Sequence, residues 1–198
     1  MSEKPILFST EMVKAILDGK KTQTRRAVTV HWHKGKRVLP YEPYYVESDG
    51  KLLFADEYGE YHPMEQLSPY GQSGDVFRVR ETWAKDANGN YVYRTDYGTT
   101  EDDSFPPSMF KWKPSIHMPR AAARLFLKVK NIRVERLQDI TEEDAQKEMS
   151  FDSMYDLCAG FTGKYKIAFE ILWDSIYSAK GYGWDENPFV WVVEFELL

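Results

Sequence analysis

The sequence predicts an α+β fold in the form of a mixed β-barrel with flanking helices. A strand, a helix and a second strand come first, and several strands, two helices and a last strand follow. This order separates runs of strands from helices, which favours α+β over a regular α/β alternation. The 198 residues, 42 % of them apolar, suffice for one core, so we predict a single domain over residues 1–198.

The first predicted helix leads directly into a basic octet. An apolar strand at residues 5–8 is followed by Ser9 and Thr10, which are suited to cap a helix. The apolar side chains of that helix recur on one face, and Gly19 suits its C-terminal end. Residues 19–26 then read Gly-Lys-Lys-Thr-Gln-Thr-Arg-Arg. We predict that this octet leaves the helix and enters an extended segment at residues 27–30.

The later strands are predicted from alternation and turn signals. Residues 40–73 are rich in Tyr, Pro, Gly and acids, which indicates a loop-rich insertion with a hairpin near 48–50. Asn88-Gly89 between two aromatic stretches is typical of a hairpin turn. The other predicted strands cover residues 76–81, 123–134 and 189–198; the last is almost continuously apolar, which favours an interior position in the sheet.

Two further helices are predicted in the C-terminal third. The first covers residues 141–149, with Thr141 as N-cap and Asp144 at the capping-box position. The second covers residues 165–177, where apolar residues form a stripe at helical spacing.

Cations are concentrated in two acid-free segments although the net charge is −5. Residues 19–41 and 104–134 together hold 14 of the 26 Lys and Arg. If the fold joins these segments, they form one positive face suited to a polyanion or nucleotide. The alternative is that strands expose cations for solubility.

The composition also excludes several classes of protein. No apolar run reaches the length of about 18 residues expected of a membrane span. Cys158 is the sole cysteine, which excludes an internal disulfide and a multi-thiolate metal site. The first residues lack an apolar region of secretory length. We therefore expect a cytoplasmic protein without membrane contact.

Several motifs together resemble the ASCH family of the PUA-like superfamily, in the longer form common among phage and prophage proteins. The most specific is the Gly-x-Lys-Thr-x-Thr-x-Arg run of the octet. The other segments that carry the resemblance are Ile6-Leu-Phe-Ser, Tyr70-Gly with Gly74-Asp75, Val79-Arg-Glu-Thr-Trp83, Trp112 to Arg120, Leu137 to Ala145, and Gly181 to Phe195.

The resemblance implies a small β-barrel with helices around a cleft, and a nucleoside or RNA as partner. Some compact members are amidohydrolases that remove the acetyl group from N4-acetylcytidine, and their Lys, Thr and Glu match Lys21, Thr24 and Glu148. Other members of the superfamily bind RNA without catalysis. No metal or organic cofactor is implied.

The matched residues can carry out amide hydrolysis on chemical grounds. Thr24 would be the nucleophile, Lys21 the base, Glu148 the proton donor and Arg26 the ligand of an oxyanion or phosphate. A free lysine has a pKa of about 10.4, so burial and neighbouring cations must lower it. Glu148 could instead pair with Lys21 and keep it charged. Each residue also has an ordinary structural interpretation, and a phosphate-binding turn is the competing hypothesis for the octet.

Further residues are predicted to contact a substrate or nucleic acid. Trp83 and Trp112 could stack on a base, although a core role is equally compatible with Trp112. The remaining candidates are Lys20, Arg25, Arg26, Lys113, His117 and Arg120. His31 and His33 resemble a metal pair, but no third ligand is evident, so we predict no metal.

Three functional hypotheses follow. The first is an amidohydrolase that deacylates N4-acetylcytidine or a related pyrimidine nucleoside. The second is a non-catalytic module that binds RNA or a modified base. The third is a phage protein whose acidic face binds a host protein, for which the sequence gives no direct indication.

Overall fold

The structure is a computed structural model that describes residues 2–28, 31–33, 36–38, 44–45, 52–55, 61–63, 66, 68–97, 107–149 and 165–198. In this part of the chain the helices are α1 (Thr10–Leu17), α2 (Glu142–Glu148) and α3 (Tyr165–Tyr177). The strands are β1 (Glu3–Leu7), β2 (Gln23–Ala27), β3 (His31–His33), β4 (Lys36–Val38), β5 (Tyr44–Tyr45), β6 (Leu52–Ala55), β7 (Tyr61–Pro63), β8 (Val76–Arg80), β9 (Trp83–Lys85), β10 (Tyr91–Tyr93), β11 (Phe126–Arg136) and β12 (Phe189–Leu197). These elements confirm the α+β class.

A five-stranded mixed sheet organises the described part of the chain. Its order is β1-β8-β11-β12-β2, with β1 and β8 parallel and the other neighbours antiparallel. β12 is paired on both sides, which confirms its predicted interior position. The edge strands β1 and β2 also approach each other, because Arg26 Nη2 donates to the Leu7 carbonyl oxygen at 2.9 Å. The sheet therefore curves strongly, while closure into a barrel by backbone pairing stays a prediction.

The two faces of the sheet bury two different cores. Along β12, Trp191, Val193 and Phe195 belong to a cluster with the buried face of α1, whereas Val190 and Val192 belong to a cluster with α2 and α3. Successive side chains of a strand point to opposite faces, so one apolar strand supplies both layers. This explains why residues 189–198 are almost continuously apolar.

Local signals place α1 as predicted. Ser9 Oγ accepts a hydrogen bond from the Met12 amide at 3.3 Å, and Val13 and Ile16 are buried. Gly19 has φ of +69°, the left-handed conformation that favours glycine at this position. The amides of Lys20 and Lys21 then donate to the Ala15 carbonyl oxygen. The end of α1 therefore fixes the start of the octet.

The octet differs from the prediction in where its strand begins. β2 starts at Gln23, inside the octet, and not near Ala27. It does so because β12 pairs with it from Val190 opposite Ala27 to Glu194 opposite Gln23. A pairing with a strand far along the chain has overridden the local signals.

The Asn88-Gly89 hairpin is confirmed. β9 and β10 pair antiparallel, and Gly89 has φ of +86°. The Asp86 carboxylate accepts from the amides of Asn88 and Asn90, which closes the turn.

Residues 40–73 are described only in parts. β5, β6 and β7 form an antiparallel three-stranded sheet, and the predicted turn at 48–50 between β5 and β6 lies outside the described residues. The assignment of this stretch as an insertion in a single domain stays a prediction. No helix in the described ranges is long and apolar enough to cross a membrane.

Paired leucines on β11 and β12 provide a test of the core. Leu127 and Leu197 are register partners, yet Leu127 is fully buried and Leu197 is 46 % exposed. We expect Leu127→Ala to lower the free energy of unfolding by about 2–5 kcal/mol, because it leaves a cavity. Leu197→Ala should lower it by less than about 1 kcal/mol. Urea unfolding measures both, and equal losses would contradict the difference in burial between the two leucines.

Candidate functional site

The two faces of β2 carry different chemistry. Gln23 and Arg25 point to the α2 side: Gln23 Nε2 donates to the Asp144 carbonyl oxygen at 2.6 Å, and Arg25 is bound to acids there. Thr24 and Arg26 alternate with them and lie on the face of Phe8, whose ring centroid is 5.6 Å from the Arg26 guanidinium carbon. Alternate residues of β2 therefore contact the acids on the α2 side and the Phe8 side of the sheet.

Lys21 lies at the base of this arrangement and is buried. Its Nζ donates to the Gln23 carbonyl oxygen at 2.8 Å, to the Glu148 carbonyl oxygen at 2.7 Å and to Glu148 Oε2 at 3.0 Å. Three acceptors satisfy the three hydrogens of an ammonium. The Phe8 ring, 5.8 Å from Nζ, covers another side.

The charge state of Lys21 is subject to opposing effects. Burial lowers its pKa below the ordinary value of 10.5, the Glu148 carboxylate opposes this, and Arg26 and Arg25 lower it further. The net direction is downward, which is the direction required of a lysine base. The hydrogen bonds themselves, however, are those of a charged lysine.

Glu148 brings the predicted lysine and carboxylate together across 127 positions of sequence. It is the last residue of α2 and is 5 % exposed. Its Oε2 binds Lys21, and its Oε1 accepts from Arg25 Nη1 at 3.3 Å. One buried carboxylate therefore serves two cations. The catalytic roles assigned to the pair stay a prediction.

Arg25 differs from its predicted role as a substrate contact. Its side chain is fully buried, and Nε and Nη2 donate to Glu135 Oε1 at 3.1 and 2.5 Å. Nη2 also donates to Asp144 Oδ2 at 3.2 Å, and Arg133 donates to the same oxygen at 3.3 Å. These carboxylates occupy Arg25, which leaves it no surface for a substrate, so its role is to hold α2 against β2.

The predicted capping box of α2 is only half formed, because the Asp144 carboxylate binds arginines and not the start of the helix. Thr141 Oγ1 accepts from the Asp144 amide at 3.1 Å, which confirms the N-cap. The Asp144 carboxylate accepts from Arg25 and Arg133. Burial raises the pKa of Asp144, but Arg25, Gln23 and Arg133 outweigh it, so the pKa lies below its ordinary value of 3.8.

Neither Thr24 nor Arg26 is bound to the carboxylates of Glu148, Glu135 or Asp144. Thr24 is 2 % exposed, and its hydroxyl is not among the three acceptors of Lys21 Nζ. Arg26 binds the Leu7 carbonyl oxygen but no carboxylate of the described residues. Lys20, in contrast, is exposed and pairs with Asp18 at 3.2 Å.

Two residues beside Arg26 were missed by sequence reasoning. The Phe8 ring contacts both Lys21 and Arg26. Burial raises the pKa of the Tyr70 phenol while the nearby Arg26 opposes the shift, so a neutral hydroxyl lies near this guanidinium. Phe8 and Tyr70 both lie in segments that carry the family resemblance. Nothing in the sequence, however, indicates that either side chain belongs to a functional site.

A second group of predicted residues lies around β9. Trp83 and Lys113 exchange backbone hydrogen bonds, and Lys113 Nζ lies 4.8 Å from the Trp83 ring centroid. The Trp83 ring is buried against Met118 and Ala122, so it is part of a small core and cannot stack on a base in this conformation. His117 lies in an exposed 3-10 turn beyond Lys113.

The two remaining candidates have protein partners. Arg120 Nη2 pairs with Glu3 at 2.7 Å. Trp112 packs with Tyr97 and Phe110, at centroid distances of 5.6 and 5.3 Å. Trp112 is therefore partly exposed and packs against other aromatic rings, and its stacking on a base stays a prediction.

Most of the described cations of the two basic segments neutralise acids of the same chain. The described Lys and Arg of these segments that pair with carboxylates are Lys20, Lys21, Arg25, Arg120, Arg124, Lys130 and Arg133. The described residues of these segments therefore do not form one continuous positive face. Cations without a carboxylate partner in the described ranges include Arg26 and Lys113.

The side chains of His31 and His33 lie outside the described residues. Within the described part of the chain no group of three or more His, Cys, Asp or Glu is arranged to hold a metal ion.

Comparison with known proteins gives similarity at the level of structure. No family model matches the sequence, and no curated protein matches it. A crystal structure of a protein from Enterococcus faecalis V583, with the family-model name DUF984, is similar over 100 % of this chain and 81 % of its own, with 8 % identity and a TM-score of 0.45. The ASCH domain from Lactobacillus crispatus JV V101 is similar over 99 % of this chain and 79 % of its own, with 11 % identity and a TM-score of 0.42.

The shared carboxylate of Glu148 is tested by removing it. We expect Glu148→Ala to lower the free energy of unfolding by about 3–5 kcal/mol, because two buried cations lose a partner. Glu196→Ala is the matched control, since Glu196 pairs with Lys130 at an exposed position, and its loss should cost less than about 1 kcal/mol. Chemical denaturation measures both, and similar losses would contradict the buried pair.

Asp144 predicts a specific acid sensitivity. Its folded pKa is lowered, so below 3.8 the unfolded state binds more protons than the folded state. The stabilisation from the ionised Asp144 is therefore fully present at pH values above 3.8. It is lost as the pH falls through the pKa that Asp144 has in the folded protein. Urea unfolding across this range should show a weaker loss for Asp144→Asn than for the unmodified protein. The exposed Asp139→Asn is the control, and indistinguishable slopes for Asp144→Asn and the unmodified protein would contradict the prediction.

Proposed function

We propose that this protein is an amidohydrolase that deacylates N4-acetylcytidine or a related acylated pyrimidine nucleoside. The observation that carries the proposal is the buried Lys21–Glu148 pair, whose lysine belongs to the same octet as Thr24 and Arg26. Burying an ammonium and a carboxylate is costly, and such pairs with perturbed pKa values are concentrated at functional sites. The match of Lys21, Thr24 and Glu148 to the motif of the compact amidohydrolases gives the pair its chemistry.

The first step in this proposal activates the base. A proton moves over 3.0 Å from Lys21 Nζ to Glu148 Oε2, which gives a neutral amine and a carboxylic acid. Burial favours this neutral pair, because it removes two charges from a low-dielectric site. The amine then turns from one of its carbonyl acceptors toward Thr24 and accepts the hydroxyl proton.

The second step forms the acyl-enzyme. Thr24 Oγ1 attacks the acyl carbon, and the oxyanion is stabilised by Arg26, whose guanidinium is not committed to a carboxylate of the described residues. Glu148 gives its proton to the departing N4 nitrogen, the C–N bond breaks, and cytidine leaves. Lys21 is then an ammonium and Glu148 a carboxylate, as in the starting state.

The third step restores the enzyme. The same proton transfer from Lys21 to Glu148 makes the amine available to activate water, which attacks the acyl-threonine ester. The Thr24 oxygen leaves and recovers its proton from Lys21, and Glu148 returns a proton to the lysine. The products are the free nucleoside and the carboxylic acid.

The distribution of cations favours a small substrate over a long polyanion. Most described cations of the basic segments are already bound to acids of the chain. A nucleic-acid groove needs many cations available for phosphates. The non-catalytic RNA-binding or modified-base-binding module is therefore the second hypothesis, and the following assay separates it from the first.

The test is turnover of N4-acetylcytidine, followed as release of cytidine by chromatography. We expect activity in the unmodified protein and a loss of about 10²–10⁴-fold in kcat for Lys21→Met, because the base is removed. Thr24→Val should abolish turnover, and Thr24→Ser should retain part of it. Thr22→Val is the matched control, because Thr22 is an exposed threonine of the same octet.

Two results would contradict the enzyme hypothesis. One is an absence of cytidine from unmodified protein that is folded by circular dichroism. The other is unchanged turnover in Thr24→Val. Binding of RNA or N4-acetylcytidine without turnover would favour the second hypothesis.

A further inference from the structure

The segment from Arg78 to Trp83, at the end of β8 and the start of β9, carries three buried donors without acceptors. Within the described part of the chain, the buried side-chain atoms that lack a hydrogen-bond partner are Arg78 Nη1, Arg80 Nε and Trp83 Nε1. All three are nitrogen donors, and all come from six consecutive residues. Native proteins pair nearly all such groups, so an unpaired cluster of one kind calls for an explanation.

The same region has more cations than acids. Arg78 and Arg120 share one carboxylate, that of Glu3, at 3.1 and 2.7 Å. Arg80 donates Nη2 to the Ile116 carbonyl oxygen and pairs with no carboxylate of the described residues. Lys113 likewise has no ion pair there, and its ammonium lies over the Trp83 ring. This surplus of positive charge occurs in a chain of net charge −5.

One segment holds these donors in place. The backbone of Lys113 pairs with that of Trp83, with N–O distances of 2.7 and 3.2 Å. Three residues later, Ile116 receives the hydrogen bond of Arg80 within the 3-10 turn Ser115–His117. Pro114 and Pro119 flank this turn and restrict its backbone. Arg80, Trp83 and Lys113 are therefore fixed against a common segment.

An anion fits this cluster better than a water molecule. A water molecule would accept from one or two of the donors but would leave the surplus positive charge without a counter-ion. A phosphate only accepts, offers several oxygens, and matches the geometry of a guanidinium. We propose that Arg80, Trp83 and Lys113 form a binding site for the phosphate group of a nucleotide.

The proposed phosphate site is linked to the Lys21 site through the backbone of β1. The two sites lie on opposite faces of the sheet, because Arg80 alternates with the core residues Phe77 and Val79, whereas Arg26 lies on the core face. Leu7 pairs with Arg80 in the β1–β8 ladder, and its carbonyl oxygen accepts from Arg26. Neighbouring strands lie about 4.8 Å apart, so both arginines are attached within a nucleotide's length of Leu7. Phosphate binding at Arg80 does not depend on hydrolysis at Thr24, and each can fail without the other.

The experiment observes the indole N–H of Trp83 directly. Amide-proton correlation spectra of 15N-labelled protein resolve the tryptophan indoles, and Trp83→Phe assigns the signal. We expect inorganic phosphate and cytidine 5′-monophosphate to shift the Trp83 signal, and cytidine to leave it unchanged. Arg80→Met should weaken phosphate binding about ten- to hundredfold, because a charge-assisted hydrogen bond is lost.

Two variants make the result specific. Lys111→Met removes the same charge as Lys113→Met from the same segment. Both lysines are exposed, but Lys111 has no described contact with Arg80 or Trp83. Lys113→Met should weaken binding, and Lys111→Met should leave it within about twofold of the unmodified protein, as expected for an exposed charge without a described contact there. Arg80→Lys keeps the charge without the Nε donor, so it tests the geometry if Arg80→Met does not fold.

The outcomes decide the proposal. An unchanged Trp83 signal at saturating phosphate overturns it, and so does equal weakening by Lys111→Met and Lys113→Met, which would indicate diffuse charge. A shift with cytidine 5′-monophosphate that depends on Arg80 supports a mononucleotide. A shift with a short RNA that phosphate reverses, and that also depends on Arg80, supports the same site with a polynucleotide as its source.

Discussion

The carboxylate of Glu148 is the interaction on which the position of the whole octet depends. It places one oxygen on Lys21 and the other on Arg25, and so joins the last residue of α2 to the start of β2. Buried charges are tolerated only when their hydrogen bonds are complete. Lys21 meets this condition with three acceptors, two of them backbone carbonyls. The backbone of both elements is therefore part of the ion pair.

The same arrangement determines what chemistry Lys21 can perform. As a saturated ammonium it is a structural group, and in the proposed mechanism it becomes a base only when Glu148 takes its proton. That transfer would be costly if Arg25 depended on Glu148 alone, because it would leave a buried guanidinium unpaired. Glu135 and Asp144 also bind Arg25, so its charge stays compensated when Glu148 is neutral. The apparent excess of acids around Arg25 thus makes a proton-accepting Glu148 compatible with a stable fold.

The sequence predicted those parts of the fold that local signals determine. Ser9 and Gly19 bound α1, Thr141 caps α2, Asn88-Gly89 forms its turn, and the apolar stripe of residues 165–177 is α3. The start of β2 could not be predicted, since it follows from pairing with β12. The partners of the cations were equally inaccessible: Arg25 meets Glu135 across 110 positions. A cation in an acid-free stretch appears available in sequence, and only the fold shows that it is already paired.

The end of β1 contributes parts of the candidate site that could not be predicted from the sequence. Phe8 presents its ring to Lys21 and Arg26, and the Leu7 carbonyl oxygen orients Arg26 while its backbone pairs beside Arg80. A motif search detects polar side chains at fixed spacing, but here the connection between the octet and β8 consists of a ring and main-chain atoms. Because β1 and β8 are parallel, their carboxyl ends meet at one edge of the sheet. The octet belongs to β2, at the other side of the sheet, and it reaches the carboxyl end of β1 only because the sheet curves. The curvature of the sheet therefore brings the Lys21 site and the donors of β8 to the same end of the sheet.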